Sequence, residues 1–285
     1  MATTRDSEPT ALQDRPTEQP NPRTEDLDRL PLEGILERIL EEDASVPEAV
    51  RRALPSIRRA AELLVDVLRA GGRWVNVGAG TSGRLGVLDA AEIPPTFGLA
   101  PDRVQGLIAG GTKALQGPVE GAEDDPRAAA QDLSNLELTR DDAVVALSAS
   151  GRTPYVLGAV AHAHGIGART VGITCDPASP LAADVDASVV VVVGPEAVAG
   201  STRLKGGLAQ KMVLHALSTA AMVRLGRVRG NLMSDIRTGN RKLWTRAVTT
   251  LIRVGGISHE EAERRLDEAS GDLRSALDRL GGSSG

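Results

Sequence analysis

The chain has 285 residues, a formal net charge of −5 and 41% hydrophobic residues, enough for one large α/β domain with small appendages or two modest domains. Aromatic residues are almost absent, with two Trp, one Tyr and one Phe, so the core must be built from Val, Leu, Ile and Ala, and the rings on which single-stranded nucleic acid stacks are missing. With neither a basic excess nor a basic patch, no nucleic-acid partner is expected; no stretch is apolar for long enough to span a membrane, so no membrane partner is expected either.

Residues 1–24 are polar and proline-rich and are expected to be disordered. A domain with N-terminal helices is expected over 25–238. "PLEGILERILEED" has helical apolar spacing after Pro31, a favourable first-turn residue. In the next stretch Pro47 fits a helix start, Pro55 a break or kink, and the pair at 71–72 a glycine stop. Five short apolar runs follow: "RWVNVGAG", "VQGLIAGG", "DAVVALSASG", "ARTVGITCD" and "ASVVVVVG". Helices are expected between them, around 83–92, 112–133, 154–165 and 179–184. This alternation predicts βαβ crossovers and a five-stranded parallel sheet flanked by helices, a doubly wound α/β fold. Residues 201–226 read as one long helix opening on the N-cap pair Ser201 and Thr202, with an Ala/Leu/Met stripe for the core or a subunit contact.

From 239 to 281 three amphipathic pieces, 240–253, 258–269 and 271–280, predict a small helical C-terminal subdomain, with Ser258 and Glu261 as a capping box. "GGSSG" closes the chain as a flexible tail over 282–285. The single cysteine, Cys175, allows no intrachain disulfide and reads as a small buried residue after a strand. The N-terminus lacks the apolar segment of a signal peptide, so a cytoplasmic location is expected.

In open α/β sheets ligands bind beyond the carboxyl ends of the strands, so the strand-end loops carry the functional information. "GAGTSG" at 78–83 fits the dinucleotide fingerprint and sets Thr81 and Ser82 beside Gly80. The second strand ends "LIAGGT", without the acid that would hold a nucleotide ribose, and no Walker lysine follows either glycine turn. The third strand ends "SASGRTP". Ser148, Ser150, Gly151 and Thr153 put three hydroxyls and a glycine at a helix start, a nest suited to a single phosphate. Such residues also form ordinary caps and turns, but two such loops on one sheet point to a phosphosugar held between them. Arg152 reads as solvent-facing. The four histidines form no ligand motif, so no metal is expected. Two acidic stretches flank these loops. "LDAAEIPPTFG" carries Glu92 before Pro94 and Pro95, and "VEGAEDDP" carries Glu120, Glu123, Asp124 and Asp125. The second also reads as a solvated acidic turn. A pair of glutamates beside a phosphosugar supplies an acid and a base.

From about Asn21 onward the sequence resembles N-acetylmuramic acid 6-phosphate etherases of the sugar isomerase (SIS) superfamily. The resemblance rests on "NPRTEDLD", "EEDASVPEAV", "GAGTSGRLGVLDAAEIPPTFG", "EGAEDD", "SASGRTPYVLGA", "GPEAVAGSTRLKGGLAQKMVLHALSTAAMVRLG" and "GNLMSDIRTGNRKL". The departures are mild: Ala91 and Ile93 stand where Ser and Cys are expected, and Pro20 where Arg or Ser is frequent. The resemblance implies an SIS fold and cleavage of the D-lactyl ether of N-acetylmuramic acid 6-phosphate, without cofactor or metal. It makes Glu92 the proton donor and Glu123 the second catalytic residue, with the glutamates' identity firmer than their division of labour. It implies a homodimer with sites between subunits, so Lys205 and Asn240 become further candidates to reach a neighbour's site. A non-catalytic sugar-phosphate sensor or a sugar-phosphate isomerase stands as the alternative; a sensor needs no acid–base pair, and an isomerase releases no lactate. A dehydrogenase is the weakest reading, for lack of the ribose acid.

Overall fold

The computed structural model describes residues 15–236 and 238–281. Three helices lead in: α1 (Leu32–Asp43), α2 (Val46–Arg52) and α3 (Leu54–Arg69), the last two each with proline in the first turn. The sheet follows as β1 (Trp74–Gly78), α4 (Gly80–Phe97), β2 (Val104–Ile108), α5 (Pro126–Asn135), β3 (Ala143–Leu147), α6 (Pro154–Ile166), β4 (Arg169–Thr174), α7 (Pro180–Ala183) and β5 (Ala187–Val190). All its pairings are parallel, in the order β2-β1-β3-β4-β5. β1 and β3 are buried along their whole length, as strands covered by helices on both faces must be.

Side-chain alternation splits the core in two. Trp74, Val145, Leu147 and Ile173 pack against α3, α4 and the long helix α8 (Lys205–Arg224). Val75, Val77, Val144 and Ala146 face the other way, onto Leu133 of α5 and Tyr155 and Val160 of α6. The indole N–H of Trp74 donates to Asn76 Oδ1 at 2.6 Å, and the Asn76 amide donates to Gly86 O at 2.9 Å, so the polar atoms under α4 are satisfied. A two-stranded hairpin, β6 (Val228–Arg229) and β7 (Leu232–Met233), leads to α9 (Arg241–Gly255), α10 (His259–Glu268) and α11 (Leu273–Gly281). These helices enclose their own core of Val248, Leu251, Leu266, Leu273 and Leu277. Asp235 ties this subdomain to the body, accepting from Arg274 Nε at 2.7 Å and lying 3.5 Å from Arg227.

Several expectations need correction. The first crossover helix starts at Gly80 and runs through Pro94 and Pro95 to Phe97, because both prolines fall in the last turn, where Gly98 closes the helix by donating to Pro94 O at 2.9 Å. The expected helix 112–133 is instead two short 3-10 turns and α5. Asp125 starts α5 by accepting from the N–H groups of Arg127 and Ala128. The helix expected from 201 begins at Lys205, uncapped by Ser201 or Thr202. Its first N–H groups are taken by the buried Glu196 carboxylate, at 2.8 Å from both Lys205 N and Gly206 N. Of the segment expected to be disordered, residues 1–14 lie outside the described residues, as does the 282–285 tail. Residues 15–24 are packed: Thr17, Asn21 and Thr24 are buried and hydrogen-bonded to the loop at 195–200.

Candidate active site

The sheet order reverses between β1 and β3, whose following helices pack on opposite faces. The loops leaving their carboxyl ends therefore diverge and leave a crevice, the ordinary binding position of an open α/β sheet. A cavity of about 420 Å³ occupies it, lined among others by Gly80, Thr81, Ser82, Glu123, Ser148 and Thr153. An adjoining cavity of about 280 Å³ shares Gly80 and Glu123. A larger groove of about 510 Å³ lies in the C-terminal subdomain, but Lys242, Arg246 and Arg253 line it without any carboxylate, so it offers no acid–base pair.

The glycines of "GAGTSG" serve packing. A Cβ on Gly83 would sit 2.6 Å from Gly78 O, so only glycine lets α4 start this close to the end of β1. That approach points Thr81 and Ser82 of the first helical turn into the cavity. In the β3 loop, Ser148 Oγ lies 2.8 Å from Thr153 Oγ1 and 3.3 Å from Ser150 Oγ, and accepts from Gly151 N at 3.0 Å. Gly151 has φ +64°, and a Cβ there would meet Ser179 Oγ at 2.2 Å. Thr153 precedes α6 without bonding its first N–H groups. Three clustered hydroxyls at a positive helix end make a compact seat for a phosphate.

Seven predicted binding residues thus share one cavity: Gly80, Thr81, Ser82, Ser148, Ser150 and Thr153 line it, and Gly151 shapes its floor. Glu123 joins them at the rim, exposed on its 3-10 turn. Glu92 does not. It is exposed on α4, 11 residues beyond Thr81, about 16 Å along a helix rising 1.5 Å per residue. Lys205 is not free to reach a neighbour: it is 1% exposed, with Nζ 2.7 Å from Glu42 Oε2. Asn240 is the N-cap of α9, accepting from Leu243 N at 2.9 Å, and lies in the C-terminal subdomain. Arg152, read as solvent-facing, lines the cavity and donates to Asp176 at 3.1 Å and Ala178 O at 3.0 Å. Sequence reasoning also missed Arg15, Glu18 and Thr202 in the lining. Only the hydroxyl of Thr202, beside a glycine, gave any local signal.

Among the described residues no three His, Cys, Asp or Glu side chains cluster as a metal site requires, and no helix is long and apolar enough to cross a membrane. Cys175 is buried, and burial pushes its thiol up to about 12.

The chain matches the SIS domain family over residues 122–220 and the glucokinase regulatory protein N-terminal SIS domain over residues 56–164. Solved structures agree on the fold. A sugar-phosphate-bound protein of E. coli CFT073 has a TM-score of 0.52 at 21% identity, covering 71% of this chain and 97% of that one. The phosphoheptose isomerase of Neisseria gonorrhoeae has a TM-score of 0.50 at 20% identity, covering 66% and 98%. Fold and cavity together define an SIS-type domain. Two curated N-acetylmuramic acid 6-phosphate etherases, from Yersinia pestis (strain Pestoides F) and Yersinia pseudotuberculosis serotype O:1b, are 49% identical to it over 261 residues, 92% of this chain and 88% of theirs. The chain belongs to the N-acetylmuramic acid 6-phosphate etherase family.

Proposed function

We propose that this chain cleaves the D-lactyl ether of N-acetylmuramic acid 6-phosphate, giving N-acetylglucosamine 6-phosphate and D-lactate, in the recycling of cell-wall sugars in the cytoplasm. The observation that carries this reading is the 49% identity to etherases over 92% of the chain. The hydroxyl nest and a glutamate at the rim of the same cavity support it.

The chemistry fits these residues. In the ring-opened sugar the C1 aldehyde acidifies the C2 proton, which a carboxylate removes. The C3 ether oxygen is a poor leaving group and departs as lactate only if an acid protonates it. Water then adds at C3 of the unsaturated aldehyde, and the ring recloses. Ser148, Ser150 and Thr153 hold the phosphate; Glu123 is the base, and Glu92 protonates the ether oxygen. Since Glu92 lies outside its own chain's cavity, it serves the site of a second copy in a homodimer. The exposed Leu88, one turn before Glu92 on α4, and the exposed Leu208 and Val223 on the adjacent α8 supply apolar surface for that contact.

The sensor reading keeps the phosphate seat without turnover, and an isomerase releases no lactate. One assay separates all three: release of D-lactate from N-acetylmuramic acid 6-phosphate by the purified protein with a chelator present. Tight binding of the phosphosugar without lactate would overturn the enzyme reading.

A further inference from the structure

The N-terminal strap, residues 15–24, forms one wall of the cavity. Thr17 O accepts from Gly200 N at 2.9 Å, Thr24 Oγ1 donates to Ala197 O at 2.9 Å, and the Asn21 amide donates to Glu42 at 2.8 Å and to Pro195 O at 3.3 Å. So anchored, the strap presents Arg15 and Glu18 to the cavity. The lining then carries three carboxylates, Glu18, Glu123 and Asp124, and two guanidiniums, Arg15 and Arg152. Arg152 is already committed to Asp176 at 3.1 Å. Arg15 is not: its Nε is enclosed and has no hydrogen-bond partner among the described residues. An enclosed, unpaired donor on a cation is costly unless a ligand completes it.

The substrate of the reaction proposed above brings two anionic groups. One is the phosphate, for which the hydroxyl nest is built. The other is the carboxylate of the lactyl substituent on C3, which the sugar product lacks. A carboxylate entering a cavity with three carboxylates of its own needs a cation, and a guanidinium fork matches it in geometry and charge. Resting on that reading of the reaction, we propose that Arg15 binds the lactyl carboxylate and makes the strap the element that distinguishes the ether from its sugar product.

The test compares two ligands on the full-length protein. Arg15→Ala should weaken binding of N-acetylmuramic acid 6-phosphate by roughly ten- to a hundredfold, the scale of a lost hydrogen bond to a charged group. Binding of N-acetylglucosamine 6-phosphate, measured by the same calorimetric titration, should change by less than about twofold, because it has no carboxylate for Arg15 to meet. Arg15→Lys, which keeps the charge, should recover part of the lost selectivity. Equal weakening of both ligands would assign Arg15 to the phosphate or to the shape of the wall and overturn the proposal, as would unchanged affinity for both. Absence of lactate release by the unsubstituted protein would instead overturn the reading of the reaction, and the two-ligand comparison would still report on Arg15.

Discussion

Replacing Lys205 by methionine probes the cluster that anchors the strap. Glu42 is 1% exposed and accepts from Lys205 Nζ at 2.7 Å, the Asn21 amide at 2.8 Å and Arg23 Nη2 at 2.9 Å. Burial pushes the Glu42 carboxyl up, but the bonds from Arg23, Lys205 and Asn21 outweigh it and hold it at about 2. Against an ordinary value of 4.5, that corresponds to about 3 kcal/mol of stability at neutral pH. A depressed carboxyl contributes fully above its unfolded value, and the contribution fades as pH falls from about 4.5 toward 2. Breaking a buried pair costs about 3–5 kcal/mol. Two donors remain on Glu42 after the substitution, so the lower end applies, about 3 kcal/mol, or a Tm lower by roughly 6–12 °C for a domain of this size. Calorimetric melts of both proteins across pH should show the full gap near pH 7 and a narrowing gap below about pH 4.5, as Glu42 loses its charge in each. A Tm within about 2 °C of the parent at pH 7, or a gap independent of pH, would refute the assignment of a buried charge pair to this position.

Glu92→Gln and Glu123→Gln should each lower the rate of lactate release by roughly a hundred- to ten-thousandfold with little change in phosphosugar affinity, and Glu92→Gln should still exchange the C2 proton with deuterated solvent, read by NMR. Mixing the two inactive variants under subunit exchange should restore about a quarter of the parental activity if each site takes its two glutamates from different subunits, and none if one chain supplies both. Gly151→Ala should lower Tm and phosphosugar affinity together, since the new methyl meets Ser179 Oγ at 2.2 Å in a left-handed backbone conformation; an unchanged melt would show that the loop yields freely. Cys175, buried with its thiol pushed up to about 12, should resist iodoacetamide in the native protein at pH 8 and react once unfolded, as mass spectrometry would show.

The sheet was legible because strands buried on both faces are written as continuous apolar runs, and each run became a strand within a few residues. The phosphate seat was legible for a related reason: glycines and hydroxyls at two strand ends fall at one crevice once the sheet is parallel. Local breakers were read less well. Pro94 and Pro95 suggested an earlier stop for α4, whereas the helix tolerates them in its last turn; Pro118 and Pro126 divided a segment whose composition favoured one helix. What sequence reasoning missed depends on distant partners. Polar residues 15–24 resemble a disordered tail until Asn21 meets Glu42 and Thr24 meets Ala197, 173 positions away. Lys205 looked available for the same reason: its partner Glu42 lies 163 positions earlier. Glu92 is the opposite case. Its place in the chain was plain, but its relation to the cavity depends on a surface that one chain does not complete.

The Glu42–Lys205 pair has a consequence for the order in which the molecule matures. A chain emerging from the ribosome presents Glu42, Asn21 and Arg23 early, while Lys205 and the capping Glu196 follow only after all five strands have been made. Long loops must close before such a contact forms, so it is a late event. A nascent chain ending before Lys205 has both phosphate loops but no seat for the strap. The cavity therefore gains its last wall only after nearly three-quarters of the polypeptide exists, and ligand recognition at that wall reports on completion of the fold.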